Sequence, residues 1–213
     1  MKNLLVSVRW PRPRGLLGVD IGASGVHVVE LRQQRGVLAC RHHGMAALPQ
    51  GDPGNPDYVE ALAAAIRQAC LASGSRARCA ALALPEDSLI TQTLRLPAGL
   101  PEEQLEILVE LEAAQYMPFA LEDASLDFCL LGPAPAVAGT GGHSEIEVLL
   151  VAARRSSVQQ RVAQASGAGL QAVAVDSAAL ASDAALQHDG WRALPGGQAY
   201  QLAWGLALHG LAP

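Results

Sequence analysis

The sequence predicts an α/β fold that carries a small inserted subdomain, and three observations lead to this prediction. Half of the 213 residues are hydrophobic but only 4% are aromatic, so the apolar content is mostly Ala, Leu and Val, as in layered α/β proteins. The continuous apolar runs at 79–85 and 170–176 are typical of strands buried on both faces of a sheet. Between them, residues 88–97 alternate between apolar and polar, which indicates a half-exposed strand outside that sheet.

The start of the chain predicts three strands in a meander, followed by one helix. The strands are expected at Leu16–Ile21, Val26–Leu31 and Val37–Ala46. A cluster of Pro, Gly and Asn between 49 and 56 ends the meander, and Asp57 is expected to cap a helix that runs to about Ala72. Helical spacing predicts that its buried face holds Val59, Leu62, Ala63, Ile66 and Cys70. Gly74 is expected to close this helix.

The pattern changes within residues 86–152, which we expect to form an inserted β-α-β-β subdomain. Pro101 and Glu102 open a predicted helix, Glu103–Tyr116, and Pro118 stops it. Its inward face is expected to hold Leu105, Leu108, Val109 and Leu111. Further strands are predicted at 125–132 and 145–153, with a surface loop at 133–142 between them.

The last part of the chain returns to the layered α/β pattern. Its predicted elements are a helix capped by Ser156 or Ser157 and ended by Gly167 and Gly169, the buried strand 170–176, a helix at Ala178–Leu186 and a closing helix from about Gln198 to His209. The predicted organisation is therefore a tail at 1–14, a lobe formed by 15–85 and 153–213, and the insert at 86–152.

Charge and cysteine usage exclude several classes of function. The net charge of −5 gives no basic field for non-specific nucleic-acid binding, so no nucleic-acid partner is expected. Four cysteines without regular spacing indicate buried thiols in a reducing compartment. Cys40 lies near His42 and His43, but no second ligand pair has the spacing of a zinc site, and a strand end with exposed imidazoles is favoured.

The two ends of the chain predict a cytoplasmic location. The apolar run near the N-terminus is shorter than a signal peptide requires, and the uncharged C-terminal stretch 193–213 is interrupted by Pro, Gly, Gln and His. Arg9, Arg12 and Arg14 surround Trp10, a pattern that fits contact with an anionic membrane surface, although a frayed tail is favoured.

The first hairpin, LLGVDIGASGVHVVEL at 16–31, is a candidate phosphate site. Asp20 ends an apolar strand, and a turn of small residues follows it: Gly22, Ala23, Ser24 and Gly25. Such a turn can present backbone N–H groups to an anion beside the acid. A tight hairpin that needs left-handed glycines at Gly22 and Gly25 explains the same residues without any ligand.

The order of the predicted elements, with this hairpin first, resembles the first lobe of the actin/Hsp70/sugar-kinase superfamily, which has a ribonuclease H-like fold. The predicted insert resembles one family within this superfamily more specifically. The stretch 96–133, with Glu-Ala-x-x-Tyr-Met-Pro-Phe followed by an acidic turn and a Leu-Asp-Phe strand, is similar to the PilM family of type IV pilus assembly proteins. Residues 168–180 and 202–211 are similar to later elements of that family, so the resemblance spans nearly all of 15–213.

The resemblance implies a nucleotide site that this chain retains only in part. By family likeness, ATP and Mg²⁺ would be held by Asp20, Gly22, Ala23, Ser24, Gly25 and Asp176. The second phosphate hairpin and the glycine-rich adenosine loop of a two-lobed member are absent, and His27 stands where a basic residue often follows the first hairpin. The second lobe is therefore expected to be missing, and ATP binding is expected to be weak or absent.

The resemblance also implies a partner, the cytoplasmic N-terminal peptide of the inner-membrane protein PilN, bound between lobe and insert. The candidate residues on the insert side are Glu110, Glu112, Gln115, Tyr116, Pro118 and Phe119. The acidic helix around them favours a segment with Arg or Lys beside apolar anchors, although Tyr116 and Phe119 fit core positions equally well.

The leading expectation is a non-enzymatic scaffold, cytoplasmic and peripheral to the inner membrane, with self-association left open. A nucleotide-dependent switch or enzyme that a partner chain completes is the alternative. A decayed product without function is the third reading, and the intact amphipathic patterns argue against it.

Overall fold

The computed structural model of the chain describes residues 15–135 and 144–211. The predicted tail at 1–14 and most of the predicted loop at 133–142 lie outside the described residues. The described strands are β1 Leu16–Gly22, β2 Gly25–Gln34, β3 Val37–Ala46, β4 Cys79–Leu84, β5 Leu89–Pro97, β6 Ala124–Pro133, β7 Glu145–Arg154 and β8 Gln171–Ser177. The described α-helices are α1 Pro56–Ser73, α2 Glu102–Ala113, α3 Arg155–Gly167, α4 Ala178–Leu186 and α5 Gln201–Ala207.

The main sheet has five strands in the order β3-β2-β1-β4-β8. The first three strands form the predicted antiparallel meander, and β4 and β8 pair parallel to β1 and to each other. Both faces of this sheet are covered. Leu17, Val19 and Leu82 pack with α1 and α3 on one face, whereas Ala81 and Ala174 pack with α4 and α5 on the other. The prediction that the runs at 79–85 and 170–176 are strands buried on both faces is confirmed.

Helix α5 lies directly on β1 and on α4 because a glycine stands at each of these two contacts. A Cβ atom on Gly18 would collide with the carbonyl oxygen of Ala203 in α5, and a Cβ atom on Gly205 would collide with the carbonyl oxygen of Ala181 in α4. The backbones therefore touch without intervening side chains. Next to this contact Trp204 is fully buried against Val29 of β2, so the closing helix is an integral part of the core.

Strands β5, β6 and β7 form a second sheet, with the order β5-β7-β6. Alternate residues of the central strand β7 face opposite sides. Val148 and Leu150 pack with α2, whereas Val151 packs with Val158 of α3 and Val175 of β8. The second sheet therefore lies between α2 and the main lobe, and its strands span 89–154, two residues beyond the end of the predicted insert at 86–152.

Several local predictions need correction at helix ends. The side chain of Asn55, not of Asp57, caps α1 by accepting a hydrogen bond from the Asp57 N–H at 2.9 Å. Helix α2 ends at Ala113 and continues as a single 3₁₀ turn to Tyr116. Residue Arg154 precedes α3 and makes no side-chain capping bond, so neither predicted serine caps that helix.

Two outward apolar residues and the closing helix also differ from prediction. Leu111 is 68% exposed and Val59 is 45% exposed, so neither belongs to the core face on which it was predicted. The closing helix is α-helical only over α5, with 3₁₀ turns at Gly197–Tyr200 and Leu208–Gly210 on either side. Within residues 15–135 and 144–211, no helix is both long and apolar enough to span a membrane.

The glycine contact predicts a large loss of stability in Gly205→Ala. The added methyl group has no room against the Ala181 backbone, so the helices must separate, and we expect the free energy of unfolding to fall by about 3 kcal/mol or more. Urea denaturation followed by circular dichroism measures the loss. Gly54→Ala is the control, because its Cβ atom would meet only the Asp52 side chain, at 3.4 Å. Equal stability of both variants would contradict the close packing.

Candidate functional site

The first hairpin has the tight turn that its glycines predict, with one correction. Ala23 and Ser24 form the exposed tip of the turn. Gly25 has a φ of 135°, and a Cβ atom there would lie 2.7 Å from the Ala46 carbonyl oxygen. The predicted left-handed conformation of Gly22 is wrong, because its φ is not positive. A Cβ atom on Gly22 would instead approach the carboxylate of Asp20, at 3.1 Å from Oδ1.

The main sheet brings the two predicted acids to one edge. Val19 of β1 pairs with Leu82 of β4, so the next residue, Asp20, lies beside Ala83. Ala83 in turn pairs with Asp176 of β8. Neighbouring strands are about 4.8 Å apart, so the two acids are separated by about 10 Å across the sheet. They lie on the face that α5 covers, where Ala83 also packs.

Asp20 is a buried acid between a histidine and an arginine. Burial raises the pKa of Asp20 from its ordinary value of 3.8 to about 6, and the positive charge of Arg161 on α3 lowers it in part. The Oδ2 atom of Asp20 is 4.0 Å from Nδ1 of His27. His27 is only 1% exposed, and burial lowers its pKa. Its Nδ1 atom has no hydrogen-bond partner among the described residues, so no direct hydrogen bond joins the pair.

An aromatic contact holds the segment before α5 beside this pair. The ring of Tyr200 packs edge-on against His27 at 5.2 Å between centroids and against His43 at 5.3 Å. The expectation of exposed imidazoles near Cys40 is therefore wrong for His43. His42 likewise contacts the chain, with its Nδ1 atom 3.1 Å from the Ser73 carbonyl oxygen.

Asp176 already has protein partners. The backbone N–H of Ser177 donates to its Oδ1 atom at 2.7 Å. Nε2 of His209, in the 3₁₀ turn after α5, lies 2.7 Å from its Oδ2 atom. Asp176 thus ties the end of the closing segment to β8 in this conformation.

The site fits ATP and Mg²⁺ only on the phosphate side. Asp20 could act on a metal ion and its water, and Arg161 together with the turn N–H groups could hold phosphate oxygens. Asp176 would have to release His209 before it could contribute. The fit is therefore partial.

A second candidate site is a groove of about 510 Å³ between the lobe and the inserted sheet. Ser125 at the start of β6 forms one wall, and one face of α3 forms the other. The α3 residues are Arg155, Val158, Gln159, Val162, Ala163 and Ser166. Arg155 also bridges the two walls, because its Nη2 atom donates to the Ala124 carbonyl oxygen at 3.2 Å.

The six predicted partner residues do not line this groove. Glu110 is exposed and Glu112 half-exposed on α2, which packs on the face of the inserted sheet opposite α3. Gln115 is exposed, and its side chain donates to Glu112 at 2.5 Å. Pro118 is exposed in the loop that follows. These four residues therefore lie away from the groove as the structure describes it.

The two aromatic candidates lie nearer to the junction of lobe and insert. The guanidinium of Arg154, the residue before α3, stacks over the Phe119 ring at 4.2 Å from its centroid. Arg154 is followed directly by Arg155, which lines the groove. Tyr116 is 38% exposed, so its ring is not buried in the core, which was one of its two predicted positions.

Sequence reasoning missed three residues that the structure places at these sites. Arg161 was overlooked because it lies outside the apolar stripe of α3, although a cation in the middle of a helix that follows a buried strand is a detectable signal. His209 and Ser125 carry no local pattern, and only the tertiary structure brings them to Asp176 and to α3.

The mixed five-stranded sheet with helices on both faces and an inserted second sheet defines the first lobe of an actin-like protein. A family model described as type IV pilus assembly protein PilM matches residues 18–209. The chain therefore belongs to the PilM family of type IV pilus assembly proteins.

Two solved structures are similar to this chain. One, described as a PilM-PilN type IV pilus biogenesis complex, is 29% identical with a TM-score of 0.68, and the match covers 83% of this chain and 51% of that one. The other is the cytoplasmic domain of EpsL, an inner-membrane component of the type II secretion system of Vibrio cholerae. It is 19% identical with a TM-score of 0.47, over 78% of this chain and 58% of that one. The chain thus spans about half the length of the similar chain in the PilM-PilN complex.

The raised pKa of Asp20 predicts a pH-dependent gain of stability in Asp20→Asn. Above pH 6 the folded chain holds a buried carboxylate that would ionise more easily when unfolded, so ionisation opposes folding. We expect the substitution to raise the free energy of unfolding at pH 8 by up to about 3 kcal/mol. The gain should shrink as the pH falls from 6 and disappear near pH 4. Urea titrations at several pH values measure it, with the exposed Asp183→Asn as the control.

The partial site also predicts weak or absent nucleotide binding. Hydrogen bonds that face water contribute little net free energy, so calorimetric titration with Mg-ATP is expected to show no saturable heat at micromolar concentrations. A micromolar affinity that Asp20→Ala abolishes would contradict this prediction and support the nucleotide-dependent alternative.

Proposed function

We propose that this chain is a non-enzymatic scaffold of the type IV pilus inner-membrane assembly platform and binds the cytoplasmic N-terminal peptide of a PilN-like protein. The observation that carries the proposal is the groove between α3 and β6. Membership of the PilM family and the likeness to a PilM-PilN complex support a partner of this kind. Through such a partner the chain would be held at the cytoplasmic side of the inner membrane.

The dimensions of the groove suit a short extended peptide. Its α3 wall runs from Arg155 to Ser166, a length of about 16 Å at 1.5 Å per residue. An extended chain covers that length with about five residues. Val158, Val162 and Ala163 supply an apolar wall, so apolar side chains of the peptide would provide most of the affinity.

A nucleotide-driven switch, completed by a partner chain, is the second candidate. The proximity of Arg161 to Asp20 favours it, because an acid and a cation beside a turn rich in small residues could hold a phosphate. The contact of His209 with Asp176 weighs against it.

Charge placed in the groove is expected to block the peptide. Ala163 is exposed and lines the groove, so Ala163→Glu should leave the fold intact while it costs about 2 kcal/mol or more in peptide binding. Fluorescence anisotropy with a labelled N-terminal peptide of the PilN-like protein measures this loss. Ala64→Glu, at an exposed position of α1, is the matched control.

The same titration shows whether the predicted residues of the insert contribute to peptide binding in addition to the groove. Tyr116→Ala and Phe119→Ala should weaken binding only if the peptide extends past Arg154 toward the loop after α2. Equal binding by the parent and by Ala163→Glu would place the peptide elsewhere. A parent chain that does not bind the peptide at all would contradict the proposed function.

A further inference from the structure

Positive charge is concentrated at one end of the main sheet. Strand β1 begins at this end, where Leu16 pairs with Cys79 of β4, and the turn between β2 and β3 lies at the same end because β2 runs antiparallel to β1. Exposed arginines lie on this hairpin, on the last turns of α1 and on the segment that leads into β4, namely Arg32, Arg35, Arg41, Arg67, Arg76 and Arg78. Within residues 30–48 and 61–85, Glu30 is the only acid. We call these six arginines and their surroundings the basic end of the lobe.

Most of the acidic residues lie at the opposite end of the lobe. The insert at 86–152 contains twelve acids and a single arginine, Arg95. The insert follows β4, and β4 runs away from the basic end over a length of about 17 Å. Physiological salt screens exposed charges beyond roughly 8 Å. An anionic surface at the basic end is therefore attracted by the arginines, although the net charge of the chain is −5.

The basic end contains a cavity of about 350 Å³ between the β2-β3 hairpin and the segment that leads into β4. Arg41, His42 and Arg76 supply the cationic or titratable groups of its lining, together with Glu30. Glu30 is only 3% exposed, and it accepts hydrogen bonds from the Ser75 hydroxyl and from Nη1 of Arg41 at 3.3 Å. The charge of Glu30 is thus paired, and its contact holds Arg41 at the cavity. Two guanidinium groups around one cavity suit a phosphate group.

Two exposed apolar side chains lie among these arginines. Leu71, in the last turn of α1, is 81% exposed, and Val37, the first residue of β3, is 67% exposed. Apolar side chains beside cations are typical of proteins that bind a lipid surface, because the apolar groups enter the boundary between headgroups and acyl chains while the cations contact anionic lipids. A nucleic acid has no apolar phase for Leu71 and Val37. These two residues therefore favour a bilayer over a nucleic acid.

We propose that the basic end of the lobe binds directly to the surface of an anionic phospholipid bilayer, with a headgroup phosphate between Arg41 and Arg76 and with Leu71 and Val37 at the boundary of the acyl chains. This contact goes beyond the proposed function, because it does not require the PilN-like partner. Each arginine near such a surface strengthens binding about fivefold. Repulsion between the bilayer and the acidic insert would orient the insert away from the lipid.

Sedimentation of the full chain with lipid vesicles tests the proposal. We expect the chain to sediment with vesicles of phosphatidylcholine and phosphatidylglycerol, but not with vesicles of phosphatidylcholine alone, and added salt should weaken the binding. Arg35→Gln with Arg76→Gln should weaken binding on the order of tenfold or more. Arg95→Glu is the matched control, because it changes the net charge equally on the insert and breaks only a partly exposed ion pair with Glu147.

A second pair of variants tests the apolar contact separately from charge. Leu71→Ser should weaken binding to the anionic vesicles about fivefold or more, because the side chain no longer enters the lipid boundary. Ile107→Ser, at a position of α2 that is 65% exposed, should leave binding unchanged. Circular dichroism and urea denaturation confirm that the variants keep the fold.

Several outcomes would overturn the inference. The chain could fail to sediment with anionic vesicles, sediment equally with neutral ones, or bind as the parent does after either change at the basic end. Labelled duplex DNA that binds through Arg35 and Arg76 in place of vesicles would assign the surface to a nucleic acid. A salt-sensitive dimer in analytical ultracentrifugation that the arginine variant dissolves, without vesicle binding, would assign it to the acidic insert of a second copy. The peptide titration of the proposed function uses no lipid, so the failure of either proposal is seen independently of the other.

Discussion

Direct backbone contact between α5 and β1 is the constraint on which the rest of this fold depends. Gly18 and Gly205 allow α5 to touch β1 on one side and α4 on the other. This contact buries Trp204 and positions the 3₁₀ turns on either side of the helix. Those turns carry Tyr200 to His27 and His209 to Asp176. The geometry of the candidate phosphate site therefore depends on two core positions being glycine, Gly18 and Gly205.

Helix α3 contributes different residues to each of the two candidate sites. The positive charge of Arg161 lowers the pKa of Asp20 in the hairpin, whereas Val162 and Ala163 line the groove beside β6. One helix thus contributes to both places, and its position is fixed by Ala165 in the main core and by Val158 in the core shared with the insert. A change in the packing of α3 would alter both sites together.

Features that depend on neighbouring residues in the sequence could be predicted, whereas features that depend on contacts between distant segments could not. The strand Val37–Ala46 was predicted to the residue because turn residues and a Pro-Gly cluster mark its ends locally. Leu111 was misplaced because helical spacing assigns an apolar face without knowing that the three-stranded sheet is too narrow to cover it. The partner residues on α2 stay a prediction, and their distance from this groove could not be foreseen because the sequence does not reveal which face of the inserted sheet the helix covers. The groove itself required α3 and Ser125 to meet across the fold.

The sharing of β7 between two cores has a kinetic consequence. Val148 and Leu150 pack on α2 while Val151 packs on the lobe, so the insert cannot rotate as a rigid body without exposing apolar surface to water. The shared core then holds the walls of the groove at a fixed separation, so a ligand would meet a preformed surface. Association would proceed at the ordinary rate for docking on a preformed surface, and differences in affinity among ligands would reside mainly in their residence times.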